Sequence, residues 1–313
     1  MANLIAAKAP KKGLWKTLLQ FKYFYLMVLP LIIWYGLFSY GPMYGVILAF
    51  KTFDYSGGIL GSPWIGLENF KTLFTDTEFQ SAFYNTIIIS LVKLVVHFPM
   101  PIILAIILHE FSRTAARRFF QTILTFPHFI SWVVLAGIIT NILSRDGIFN
   151  QIIVLFGGDP ISPLQDEGMF RPILYITHIW REIGWDSIIY LAALAGINPE
   201  LNEAAEIDGA NRFQRLLNVS WPGIKSTVAI LLILHVGQLL SQGASFEQIF
   251  NLYSSPVYSV ADTIDTYIYR TSFTVGGDFG YMTAVGVVKS VISLVLLTLA
   301  NTIVKKSGEQ GLY

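Results

Sequence analysis

Six runs of about twenty mostly apolar residues punctuate the chain, at roughly 23–43, 83–108, 120–143, 173–196, 226–243 and 281–304. Each is long enough to cross a hydrocarbon core about 30 Å thick as a helix rising about 1.5 Å per residue. Lipid offers no partner to backbone N–H and C=O groups, so such runs must fold as helices. The expected class is an all-α membrane protein with about six transmembrane helices. Composition agrees, since 54% of the 313 residues are hydrophobic and 13% charged, where soluble domains carry about 45–50% and about 25%. The 21 basic and 20 acidic side chains leave no positive surplus for nucleic acid. The absence of cysteine removes disulfides, thiolate metal sites and cysteine nucleophiles.

The first run follows Lys8, Lys11, Lys12, Lys16 and Lys22 without a small-residue cleavage pattern, which marks an uncleaved anchor rather than a signal peptide. Six crossings place both termini on one side, and the Lys/Arg bias between alternate loops identifies that side. Thirteen basic residues lie on the termini's side and five on the other, namely Lys51, Lys71, Arg145, Arg171 and Arg270. The termini, the 109–119 loop and the 197–225 loop are therefore expected in the cytoplasm. The resulting division is a cytoplasmic segment 1–22, a membrane domain 23–304 and a tail 305–313. The opposite loops, 44–82, 144–172 and 244–280, hold 12 of the 20 acidic residues and several Gly-rich turns. They form either a cap for something outside or solvated connectors.

The cytoplasmic stretch 197–225 is too patterned for a connector. Asn198 suits an N-cap, Pro199 the first helical position, and Glu200 and Glu203 the positive end of the helix dipole. Asp208-Gly209 ends that helix. A second piece, about 211–218, presents Phe213, Leu216 and Leu217 on one side, and Pro222 is expected to stop it. Two short helices at an angle make an elbow able to seat in a groove of another protein. The alternative is an amphipathic segment lying in the headgroup layer.

Glu203-Ala204-Ala205, three residues, Gly209, nine residues, Val219, one residue, Trp221 and Pro222 closely resembles the EAA loop of binding-protein-dependent ABC importer permeases, Glu-Ala-Ala-x3-Gly-x9-Ile-x-Leu-Pro. Val219 and Trp221 replace the usual Ile and Leu, and Ser226 stands where a second proline is often found. Gly66-Leu67-Glu68-Asn69-Phe70 is similar to a Gly-Leu-x-Asn-Phe element of maltose-permease-type proteins. The segments 21–30 and Phe126-Pro127-His128-Phe129 resemble a narrower group that imports oligo- or polysaccharides such as alginate or rhamnogalacturonan fragments.

The resemblance implies the type I ABC importer permease fold and a pore subunit. Its implied partners are a second permease, two cytoplasmic ATPase subunits, an extracytoplasmic sugar-binding protein and the saccharide itself. It also implies that Glu203 pairs with an ATPase arginine, with Ala204, Ala205, Asp208, Gly209, Phe213 and Pro222 completing the coupling surface. Independently, the chain has no G-x-x-x-x-G-K-[ST] loop. No cofactor is expected on this chain, and ATP with Mg²⁺ belongs to the partner.

The fourth run carries Arg181, Glu182 and Asp186 near its middle, flanked by His178, Trp180, Trp185 and Tyr190. Three central charges cost roughly 8–10 kcal/mol, while ten Leu/Ile residues return only about 3–6 kcal/mol. The charged face must therefore meet water, other helices or ligand. Rings beside hydrogen-bonding groups suit a sugar, and an arginine suits a uronic acid carboxylate; the competing role is charge pairing that only holds the bundle together. Lys93 and His97 share a face of the second run and either line the same cavity or, for Lys93, extend to the interface. Lys289 in the last run has the same two alternatives. The five histidines, 97, 109, 128, 178 and 235, show no zinc-ligand arrangement. Gly41-Pro42-Met43-Tyr44-Gly45 is expected to be a helix exit rather than a dimer seam.

Two other functions fit a polytopic chain. An ion-coupled secondary transporter predicts internal repeats, and none is evident between 1–150 and 151–313. A membrane enzyme could use Asp262 and Asp265 as a metal-binding pair, although a solvated turn explains them more simply. The orientation is directly checkable because the chain is free of cysteine. A thiol introduced by Glu200→Cys should resist a membrane-impermeant maleimide until the inner face is opened, whereas Ser56→Cys should react from outside.

Overall fold

A computed structural model describes residues 20–111, 114–274, 276–309 and 311–312. Lys8, Lys11, Lys12, Lys16 and Arg113 of the charge bias fall outside these residues. Five helical stretches are long and apolar enough to cross a membrane: Lys22–Phe50, Thr77–His109, Trp132–Leu155, Arg212–Gly237 and Phe279–Lys306. A further helix, Glu167–Ala195, has the length, at 29 residues, but Arg181, Glu182 and Asp186 lower its apolarity. In chain order these six are spans 1 to 6, with the charged helix as span 4.

Three expected boundaries are corrected, each by a proline. The run 120–143 is not one helix. An amphipathic helix, Thr114–Thr125, gives way to a 3₁₀ turn, Phe126–Phe129, and Ile130 is extended before Trp132–Leu143 resumes under a Ser131 cap. Pro127 cannot donate to an α-helical ladder, which ends the first piece there. Pro222, by contrast, stops nothing. A π-turn at Leu216–Ser220 precedes it and widens the helix, so that Arg212–Gly237 runs on through it. Pro42 likewise sits inside helical structure that continues as a 3₁₀ segment to Phe50, not at a helix exit.

Spans 2, 4 and 5 pack around Ile102, Leu108, Tyr190, Leu194 and Ile224. A second core joins spans 2, 3 and 4 to the 244–261 segment through Ile89, Leu135, Phe170, Leu174, Ile249 and Val257. Where span 4 crosses the helix Thr114–Thr125, Gly184 permits direct backbone approach. A Cβ there would lie 2.1 Å from the Leu124 carbonyl oxygen.

At the end of the bundle where spans 2, 4 and 6 begin, the long loops are folded, not solvated connectors. Asn69 donates to the carbonyls of Ala49 and Lys51, which gives the Gly66–Phe70 element a structural purpose. Asn85 donates to Ser259 and Asp262 carbonyls and accepts from Arg171, itself bonded to the Val260 carbonyl. Asp262 is buried and paired with Arg270, and Asp265 pairs with Lys289. These aspartates are thus internal ion-pair partners rather than a solvated turn, and Lys289 is held within the protein. Burial pushes the Asp76 carboxyl up, but donors from Tyr281, Tyr267 and the N–H groups of Phe79 and Glu78 outweigh it and hold it below its usual value. Its contribution is therefore present at neutral pH and lost only as pH falls through that lowered value.

Gly184→Ala should lower the thermal midpoint of the detergent-solubilised protein by an overpacking cost of about 1–3 kcal/mol. Gly286→Ala, whose added methyl meets open space, should leave it unchanged or raise it.

Candidate functional site

Spans 2 and 4 each turn a polar stripe inward at helical spacing. Ser90, Lys93 and His97 follow one another at i, i+3 and i+7, and His178, Glu182 and Asp186 at i, i+4 and i+8. Between them opens a cavity of about 540 Å³. Its remaining wall comes from His235 and Gln238 at the end of span 5, the π-turn Leu239–Gly243, and the start of the helix Phe246–Leu252. The volume falls within the about 300–1,000 Å³ of small-ligand sites.

The charges on span 4 are paired, and the same three residues line the cavity. Arg181 forms an ion pair with Glu182 and donates to the carbonyls of His128, at 3.0 Å, and Ile130, at 3.2 Å. Its guanidinium lies 4.9 Å from the centre of the Trp132 ring. The other oxygen of Glu182 meets His128 Nδ1 at 2.6 Å. Asp186 meets His97 Nε2 at 2.8 Å, and the His97 and His178 rings stand edge to face, 4.8 Å between centres. Lys93 does not reach an interface. It is buried and donates to Gln248 Oε1 at 2.7 Å and the Ala244 carbonyl at 3.1 Å.

Of the aromatic residues expected along a sugar path, Trp180, Trp185 and Tyr190 do not line this cavity. Tyr190 is buried in the core of spans 2, 4 and 5, because one turn beyond Asp186 the same face of span 4 already packs against those spans. Trp180 is 49% exposed, and Trp185 stacks on His128 at 4.3 Å with the rings nearly parallel. Contributors missed by sequence reasoning include Ser90, Trp132, His235, His128 as the partner of Glu182, and the 238–247 segment. Ser90 alone left a signal, its i, i+3 spacing to Lys93.

At the opposite end lies the elbow. Helix Pro199–Ile207 is capped by Asn198, and Gly209 adopts φ +79°, the left-handed conformation its position demands. Asn211 and Gln214 form a reciprocal capping box, and Arg215 bridges to Glu206 at 2.9 Å, fixing the two pieces. Glu203, Ala204, Asp208 and Pro222 are exposed and Ala205 half-buried. Ile207 and Phe213 are 87% and 66% exposed, an apolar pair on the elbow's surface.

Ionisable residues held at membrane depth around a polar cavity are what a transport permease would need, and the relatives of this chain point to that class. Residues 97–308 match the family described as the binding-protein-dependent transport system inner membrane component, and the chain belongs to that family. It is 42% identical over 311 residues to the polygalacturonan/rhamnogalacturonan transport system permease protein YteP of Bacillus subtilis (strain 168), covering 99% of this chain and 96% of that one. It is 30% identical over 298 residues to the arabinooligosaccharides transport system permease protein AraP of the same organism, covering 92% and 91%. Its structure is similar, with a TM-score of 0.87 and 38% identity over 96% of this chain and 100% of the other, to a chain of the bacterial alginate ABC transporter in complex with alginate pentasaccharide-bound periplasmic protein.

Removing one member of a buried ion pair strands the other, at about 3–5 kcal/mol. Glu182→Gln should therefore lower the thermal midpoint much further than Asp186→Asn, since Asp186 is 34% exposed against 14% for Glu182.

Proposed function

We propose that this chain is one of two permease subunits of an ATP-driven importer of oligo- or polysaccharides. The observation that carries the proposal is a polar cavity and an exposed, internally braced elbow joined by a single helix, Arg212–Gly237. Spans lie in the cytoplasmic membrane with both termini and the elbow inside, as the Lys/Arg bias requires. The relatives' substrates support a saccharide, and the cavity's mix of hydroxyl, imidazole, amide and ionised groups suits its hydroxyls.

In this scheme Lys93, His97, His178, Arg181, Glu182 and Asp186 line the path. Glu203, Ala204, Ala205, Asp208, Gly209, Phe213 and Pro222 meet one of two cytoplasmic ATPase subunits, which hold the ATP and Mg²⁺. Closure of the ATPase pair displaces the elbow as a rigid body, and the continuous helix carries that displacement to the cavity wall. A binding protein docked on the folded loops at the other end delivers the sugar.

The test is ATP hydrolysis by the assembled transporter with and without saccharide-loaded binding protein. Glu203→Lys should abolish the stimulated component by about tenfold or more, a loss of at least about 1.4 kcal/mol of coupling. Full assembly with unchanged stimulation would overturn the coupling role.

A further inference from the structure

The cavity's far wall is held by a cation with no anion of its own. Lys93 is 4% exposed, and both its acceptors, the Ala244 carbonyl and Gln248 Oε1, are neutral. The two inner carboxylates of the lining are already engaged, Glu182 by Arg181 and His128 and Asp186 by His97. An ammonium whose hydrogen bonds all go to neutral acceptors, with Glu182 acting on it only through space, is poorly compensated. Next to it, three further polar atoms of the lining are buried without a partner among the described residues: Ser90 Oγ, His97 Nδ1 and His178 Nδ1. A cluster of this kind is a site awaiting a ligand.

The acceptors of Lys93 are also what fixes the helix Phe246–Leu252 across the cavity. Gln248 is fully buried, and its amide nitrogen donates to the Leu174 carbonyl at 2.8 Å and to Thr177 Oγ1 at 2.9 Å. One glutamine thus links span 2, through Lys93, to span 4. The helix begins at Ser245, the sole non-glycine residue at positive φ among the described residues, at +57°, and it has no side-chain cap bond. Such a conformation persists only where its surroundings over-determine it. The Lys93 contacts to Ala244 and Gln248 flank it on both sides.

Resting on the saccharide pathway proposed above, we infer that Lys93 senses the carboxylate of an acidic sugar and couples its arrival to release of the Phe246–Leu252 helix. A carboxylate entering beside Ser90 and the two histidines is a better acceptor for the ammonium than an amide or a peptide carbonyl, because charge-assisted hydrogen bonds are roughly twice as strong as neutral ones. Lys93 then leaves Gln248 and Ala244, and the strained turn at Ser245 is no longer pinned. A neutral sugar fills the same space without competing for the ammonium.

The experiment uses the assembled transporter in membranes. Asn251→Cys supplies the one thiol of this chain, on a partly exposed position of the helix outside the cavity lining. Its maleimide-labelling rate is measured alone, with a galacturonate oligomer, and with the same oligomer after carboxyl reduction. The acidic oligomer should change the rate about tenfold and the reduced one should leave it within about twofold, the difference expected when one charge-assisted bond is exchanged. Lys93→Met should erase the distinction. Gln248→Glu, which gives Lys93 a resident carboxylate, should blunt the response even if the methionine variant fails to assemble. Equal responses to both oligomers, or an undiminished acid response in either variant, would overturn the sensor while leaving the pathway intact. A wild-type transporter that takes up neither oligomer would overturn the pathway and the sensor with it.

Discussion

The arrangement of the bundle follows from placing Arg181, Glu182 and Asp186 in the middle of a helix that must cross a hydrocarbon layer. Ionised groups there need partners supplied by other spans. Arg181 finds two of them in backbone carbonyls, those of His128 and Ile130. A carbonyl inside a regular helix is already committed to the ladder, so the helix Thr114–Thr125 has to end before span 3 begins, where span 4 needs acceptors. Pro127 makes that break, and irregular backbone is tolerated at this depth because it lies against protein. The break and the charge are one feature seen from two helices.

The same logic explains the close crossing at Gly184. For the Arg181 side chain to reach the carbonyls of the 126–130 turn, span 4 must lie against the end of the helix Thr114–Thr125, and any Cβ at 184 would occupy the position of the Leu124 carbonyl. On the other side of the cavity the requirement is continuity. The π-turn at Leu216–Ser220 absorbs Pro222 and keeps the arm from elbow to cavity in one piece, about 39 Å at 1.5 Å per residue. A helix stopped at Pro222 would have placed a flexible joint between the elbow and the wall it is proposed to move.

The span pattern, the elbow and its caps were legible in the sequence because each is written in local spacing: apolar runs of membrane length, Asn198-Pro199, Asp208-Gly209. The face shared by Lys93 and His97 was legible for the same reason. The partners of those residues were not. His97 meets Asp186 across 89 positions and Lys93 meets Gln248 across 155, and no local period encodes contacts between helices that pack only in the finished bundle. Tyr190 shows the converse error. Its position beside charged residues suggested the cavity, but four residues beyond Asp186 the apolar seam with spans 2 and 5 has already closed around it.

Where simple sequence rules failed is itself informative. A proline was expected to end a helix at 222 and did not, and an apolar run was expected to be continuous at 126–131 and was not. A serine sits at 245 in a conformation that favours glycine. Each of these departures borders either the cavity or the arm that leads to it. Local rules describe the cheapest conformation of a segment, and a protein departs from them where another requirement outweighs that cost. Here the requirement is polar backbone and side chains at a depth where the surrounding medium offers no hydrogen bonds. A bundle built only to stay in lipid would have run 114–143 as one helix and kept span 5 regular and span 4 apolar, and it would have had no interior for a solute to enter.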